Sequence, residues 1–296
     1  MTTTPDLPNV LAAPREPLRP DVADTFGALA AQALRDEAML TPKPGLVDAR
    51  GGAHDDMNLA LLLASADALA VPIARCAKAA MSTPLGPGLR ALIGAIGRDG
   101  EQRMLHATSG VNTHRGALWA LGLLAAGLAA TGSIDGAGRF AARLAAMDDP
   151  ALPARAPSHG DHARLRYGAS GARGEARRGF PHARHVALPT LEAARAAGLG
   201  EHIARTDALL ASMATLEDTC LLHRGGPEGL RTVREGTSAI MRAGGSSTAP
   251  GRALFDRLDA VCRRRRLSAG GSGDVLAAAL FLDSAAPVAL LAERSH

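Results

Sequence analysis

"GALWALGLLAAGLAATGSI", residues 116–134, decides the fold. It carries no charge and is built almost wholly of Ala, Leu and Gly, with His114 and Arg115 standing immediately before it. A helix that is apolar on every side lies either in a bilayer or at the centre of a helical protein. The rest of the chain favours the second reading, a buried central helix. Hydrophobic residues make up 47% of the sequence but aromatics only 2%. The apolar content is therefore Ala and Leu, strong helix formers, and the β-branched and aromatic residues that fill strands are scarce.

Helical periodicity runs along the whole chain. It predicts helices over 22–40, 54–70, 88–107, 113–130, 135–147, 189–197, 201–223, 227–243, 249–266 and 273–293. In the second, Met57, Ala60, Leu61, Ala64 and Ala68 recur at the spacing of one buried face. The last contains Asp283 and Pro287, so it reads as a core helix that ends internally. No stretch alternates polar and apolar residues over six positions. The expectation is an all-α protein, a single compact multi-helix domain over 22–296 with a mobile leader at 1–21. Between its helices the segment 148–188, rich in Gly and Arg, reads as a long functional loop.

Charge and cysteines narrow the function. Thirty-three Lys+Arg against 29 Asp+Glu give a net charge of +4, too small and too scattered for nucleic acid but suited to an anionic small substrate. Only two of those cations are lysines, Lys43 and Lys78. The three cysteines form no CxxC pair, which points to a reducing, cytoplasmic setting without a disulfide framework or structural zinc. The N-terminus has prolines and early acids and no signal-peptide pattern.

Five stretches can carry chemistry. "GGAHDDMN", 51–58, sets Asp55 and Asp56 side by side at a helix start. Each could merely complement the helix dipole, but together they would repel a phosphate unless a cation came between. Mg²⁺ takes one or two such carboxylates plus substrate phosphates. "GVNTHRG", 110–116, offers Asn112 or Thr113 as an N-cap and puts His114 and Arg115 in the first turn, where a cation opposes the dipole and an anion is welcome. "YGASGARGEARRGFP", 167–181, mixes glycines with Arg173, Glu175, Arg177 and Arg178, a set able to approach phosphate oxygens although it is no Walker A pattern. "EDTCLLHRGG", 217–226, reads as a helix end with His223, Arg224 and Gly225 in capping positions and Asp218 a turn earlier. "LSAGGSGDVLAAALFL", 267–282, places a Gly/Ser turn and Asp274 before a buried helix, and the run "RRRR", 263–266, reads as a solvated helix end.

In order and spacing these stretches, with "TPKPGLVDARGG" (41–52), resemble the triphosphoribosyl-dephospho-CoA synthase family over about residues 35–285. The resemblance implies an all-helical transferase that joins ATP and 3′-dephospho-CoA with release of adenine. Its product, 2′-(5″-triphosphoribosyl)-3′-dephospho-CoA, passes to a transferase that modifies the acyl-carrier subunit of citrate lyase or malonate decarboxylase. Cys220 stands where the citrate lyase branch carries Asn, and Ala269 and Gly273 replace Pro and Ala of that form, so the chain is more similar to the malonate decarboxylase branch.

Within the resemblance, Asp55 and Asp56 are the Mg²⁺ candidates, and Glu175 and Asp218 are further acids of the site, in catalysis or beside the metal. Lys43, Arg115, Arg173 and Arg224 are candidates to bind the substrates' phosphates. His54 is the candidate general base and Tyr167 a stacking partner for adenine. Two alternatives remain open on the residues alone: a Mg²⁺-dependent ADP-ribosyl or nucleotide hydrolase of helical fold, and a non-catalytic nucleotide- or CoA-binding subunit. No membrane partner is expected.

Overall fold

The computed structural model describes residues 20–152 and 159–294, so most of the leader lies outside the described residues. The helices are α1 (Pro20–Met39), α2 (Leu59–Ser82), α3 (Pro87–Ala107), α4 (Arg115–Thr131), α5 (Ile134–Ala146), α6 (His159–Tyr167), α7 (Gly171–Arg177), α8 (Leu188–Ala196), α9 (Glu201–Thr215), α10 (Thr219–Arg242), α11 (Ala249–Arg264) and α12 (Gly270–Arg294). A π-helical turn, Ala183–Ala187, leads into α8. Among the described residues the only β feature is an isolated bridge between Asp48 and Gly51. The protein is all-α, as its composition predicts.

α4 is the central helix that its apolar stretch foretells. Twelve of its residues, from Ala117 to Ala129, are buried. It packs between α2, α5 and α12, while α1 lies along both α2 and α12. One core cluster runs from α1 to α12. The Ala-rich sequence explains the close spacing. On Gly27 of α1 a Cβ would overlap the Ala70 backbone of α2, and on Gly127 of α4 it would overlap Ala137 of α5. α2 and α12 are long and apolar enough to cross a membrane by length and composition, yet 44% and 56% of their most apolar windows are buried within the fold.

Several boundaries differ from the sequence reading. α2 starts at Leu59 with Asn58 as its N-cap, so Asp55 and Asp56 sit in the preceding loop and not in the helix's first turn. Its buried face is Leu62, Ser65, Ala66, Leu69 and Ile73, not the face through Ala60 and Ala64. Ser65 looks polar but is buried because it binds His114. The N-cap position of α4 is His114, which makes no side-chain cap bond. The predicted helix 201–223 is broken, because Asp218 starts a new helix. α10 then kinks at Gly226, whose φ of 61° and ψ of −165° admit only glycine readily, just before Pro227. α12 does not end at Pro287; buried Ala285 and Ala289 keep it in register on the core. The segment 148–188 is no open loop, since α6, α7 and the π turn occupy most of its described part.

Candidate active site at a junction of helix ends

The C-terminal end of α1, the start of α4, the starts of α10 and α12, and the loop 40–58 meet at one place. Asp218 joins two of these elements. Its Oδ1 accepts the N–H groups of Cys220 and Leu221 at 2.9 and 3.4 Å, capping α10. Its Oδ2 accepts the N–H and Oγ–H of Ser272 at 2.9 and 3.0 Å, at the start of α12. Burial pushes this carboxyl up, against the pull of those donated hydrogen bonds. Both oxygens are thus engaged in holding two helix N-termini together.

Asp274, one turn into α12, reaches across to α4. Its carboxylate accepts the Ala117 N–H, supplying the cap that His114 does not. Gly116 makes this possible, because a Cβ there would overlap the Asp274 carboxylate. Burial first, and then the neighbouring charges of Glu37 and Asp218, hold the Asp274 carboxyl well above the ordinary carboxylate range. Glu37, at the end of α1, is 6% exposed. It is matched by Lys43, whose Nζ donates to Glu37 Oε1 at 2.8 Å and to the Glu37 carbonyl at 2.6 Å. The Lys43 side chain is 1% exposed. His114 completes the junction. Its Nδ1 lies 2.8 Å from Ser65 Oγ, its Nε2 is buried without a hydrogen-bond partner, and burial pulls its pKa down to about 4.

The loop 40–58 closes over this cluster. Gly45 has a φ of 69° and packs so close to the Leu267 carbonyl that a Cβ there would overlap it. Asp48, Arg50, Asp259 and Arg263 form an ion network that ties the loop to α11. The arginine run at 263–266 is therefore not merely solvated: Arg263 joins this network, Arg265 pairs with Glu228, and Arg266 pairs with Asp55 at 2.6 Å. At the loop's outer lip, Arg224 Nη2 donates to His54 Nδ1 at 2.8 Å, and Asp56 Oδ1 lies 3.6 Å from the same nitrogen. Burial, and after it the Arg224 charge, pull the His54 pKa down against Asp56, so the neutral imidazole is favoured.

The structure thus brings His54, Asp55, Asp56 and Arg224 together at one lip, while Lys43, from the same loop, is buried against Glu37. Tyr167 is also close, its hydroxyl 3.7 Å from the position a Cβ on Gly226 would take. The other candidates lie apart. Glu175 is buried in its own cluster, accepting the His182 N–H at 2.7 Å with His182 Nδ1 at 2.9 Å. Arg173 is exposed on α7, and its charge acts on Arg90 of α3. Arg115 is paired with Glu101. Burial, with the charges of Asp218 and Asp274 beside it, pushes the Cys220 thiol up and so disfavours its thiolate.

A sequence model of the ATP:dephospho-CoA triphosphoribosyl transferases matches residues 23–289, the whole span that builds this junction. The chain belongs to that family. It is a transferase of the triphosphoribosyl-dephospho-CoA synthase group, and its relatives share its length as well as its sequence. A protein of Stutzerimonas stutzeri named probable 2-(5″-triphosphoribosyl)-3′-dephosphocoenzyme-A synthase is 50% identical over 274 residues, covering 91% of this chain and 94% of its own. Proteins of the same name from Azotobacter vinelandii and Pseudomonas putida are also 50% identical, over 275 and 277 residues. They cover 91% and 92% of this chain and 94% and 98% of their own. No solved structure matches.

In this synthase the sequence reading missed Glu37 and left the role of Asp274 open. Glu37 sits in "RDEAML", where any acid looks solvent-facing; only the return of Lys43 onto it marks it as buried. A usable signal was Lys43 itself, a rare lysine held between two prolines.

Proposed function

We propose that the protein transfers the 5-triphosphoribosyl group of ATP to the 2′-hydroxyl of 3′-dephospho-CoA and releases adenine. The relatives' common name supports this reading, and the observation that carries it on the structural side is the gathering of His54, Asp55, Asp56 and Arg224 at one end of the loop whose other end buries Lys43 against Glu37. The 2′-oxygen attacks C1′ of the ATP ribose, the C1′–N9 bond breaks, the hydroxyl proton passes to a base, and adenine leaves with a proton. The triphosphate stays intact, so it serves as a handle.

Arg224 and His54 are coupled in that scheme. The imidazole nitrogen that would take the hydroxyl proton is the one Arg224 now covers. An Arg224 that turns to a substrate phosphate uncovers His54 Nδ1, so binding and base activation occur together. Arg115 and Arg173 would add positive charge from α4 and α7, Tyr167 a stacking face near Arg224, and Glu175 and Asp218 positioning through His182 and the paired helix starts. Asp55 and Asp56 fit Mg²⁺ in kind, as two exposed hard-oxygen donors of which one is now held by Arg266. Bound there, the ion would offset triphosphate charge.

Cys220, in place of the Asn of the citrate lyase branch, supports the malonate decarboxylase branch, where a transferase would load the product onto the acyl-carrier subunit. Both substrates are small cytoplasmic metabolites, and neither nucleic acid nor a membrane has a part in this scheme. The test is adenine release from ATP and Mg²⁺ with and without dephospho-CoA. Release that depends on dephospho-CoA, with a product heavier by the triphosphoribosyl group, is expected. Release without the acceptor indicates a hydrolase, and binding with no release indicates a carrier subunit.

A further inference from the structure

Three carboxylates approach one another at the junction, and only one has a reachable face. Asp218 is closed by four donors, and Glu37 is sealed by Lys43. Asp274 is half-buried and lies against the similarly half-buried Gly116. With two acids and a single ammonium already beside it, a third negative charge is disfavoured, and the group is more stable as a carboxylic acid.

His114 gives an independent observation. It is 4% exposed. Ser65 Oγ lies 2.7 Å from Thr113 Oγ1 and 2.8 Å from His114 Nδ1; we assign the Ser65 proton to Nδ1, which places the imidazole proton on Nε2. That N–H has no acceptor, and the charges of Glu37 and Lys43 act on the ring. An unmet buried donor costs about 1–3 kcal/mol, a cost that a ligand acceptor would relieve. The junction thus presents two donors, the Asp274 O–H and the His114 N–H. A purine leaving group carries ring-nitrogen acceptors on both sides of its glycosidic bond.

We propose that Asp274 and His114 form the subsite for departing adenine, in which the Asp274 carboxyl delivers its proton to a ring nitrogen as the C1′–N9 bond breaks and His114 orients the base. This rests on the transfer reaction proposed above. The bonding electrons of C1′–N9 pass to the purine, the Asp274 O–H bond supplies the proton, and the carboxylate left behind is reprotonated from water. His114 keeps its proton throughout.

The experiment is single-turnover adenine release by Asp274→Asn, which keeps an oxygen for the Ala117 N–H but has no proton to give. A general acid contributes about 10²–10⁴ in rate, so a loss of that size is expected with ATP. With the triphosphate of 6-chloropurine riboside, whose electron-poor base leaves with less protonation, the loss should shrink at least tenfold. Equal losses on both substrates would overturn the general-acid assignment. Gly116→Ala, which displaces the same carboxyl while leaving it in the chain, is held to the same criterion if Asp274→Asn does not fold. His114→Ala should slow ATP but not slow further one of the 3-deaza and 7-deaza analogues, which lack an acceptor; additive losses on both would remove His114 from the subsite. Wild-type protein that releases no adenine with dephospho-CoA present would overturn the transfer reaction itself, and this inference with it.

Discussion

Replacing Asp218 separates a structural role from a chemical one. Asp218→Ala removes the N-caps of α10 and α12 at once, because one carboxylate serves both. Each cap contributes about 1 kcal/mol, and values up to 2 are known. The Ser272 hydroxyl, fully buried, also loses its acceptor, which costs about 1 kcal/mol or more. The loss should therefore reach about 3–4 kcal/mol, and at about 2 °C per kcal/mol for a chain of this size, Tm should fall by about 6–8 °C. Asp218→Asn keeps an oxygen for Cys220 and Leu221 but turns an amide N–H₂ toward the two Ser272 donors. It should lose about half as much, about 1–2 kcal/mol, all on the α12 side. Urea unfolding followed by circular dichroism measures both variants, with adenine release measured on the folded protein. An Asp218→Ala protein within about 0.5 kcal/mol of wild type but without turnover would refute the double-cap account and return Asp218 to the chemistry.

Three further outcomes are expected. Asp55→Asn and Asp56→Asn, at exposed positions, should change stability by less than about 0.5 kcal/mol while raising the Mg²⁺ concentration needed for half-maximal turnover; an unchanged Mg²⁺ titration in both removes them as the metal's ligands. Lys43→Met leaves Glu37 buried without its ammonium and should cost about 3–5 kcal/mol, and Lys43→Arg should also destabilise, since the wider guanidinium must enter a site that is 1% exposed; denaturant midpoints read both. His114, whose pKa falls from 6.5 to about 4 on folding, contributes stability that is present above pH 6.5 and lost as pH drops through 4. That separation is worth up to about 3 kcal/mol, so the stability lost between pH 7 and pH 4 should be smaller in His114→Gln than in wild type, and identical pH slopes would show that His114 is not held neutral.

The sequence by itself determined the helical class, because Ala and Leu without aromatics can fill a core only through closely packed helices. It determined α4 as the centre, because a stretch with no polar face has nowhere else to lie. The residues of the candidate lip were also legible as candidates, as His54, Asp55, Asp56 and Arg224 fall in short motifs with glycines around them. Tertiary structure alone decided the interior of the site. Whether Glu37 faces water or Lys43, whether Asp218 caps one helix or two, and whether Asp274 meets solvent or the start of α4 depend on which helix ends are brought together. That choice is made by contacts between residues such as 116 and 274, or 218 and 272, which no local pattern encodes. A carboxylate looks alike in any motif, and its protonation and its partner are set by burial and by the charges that folding places beside it.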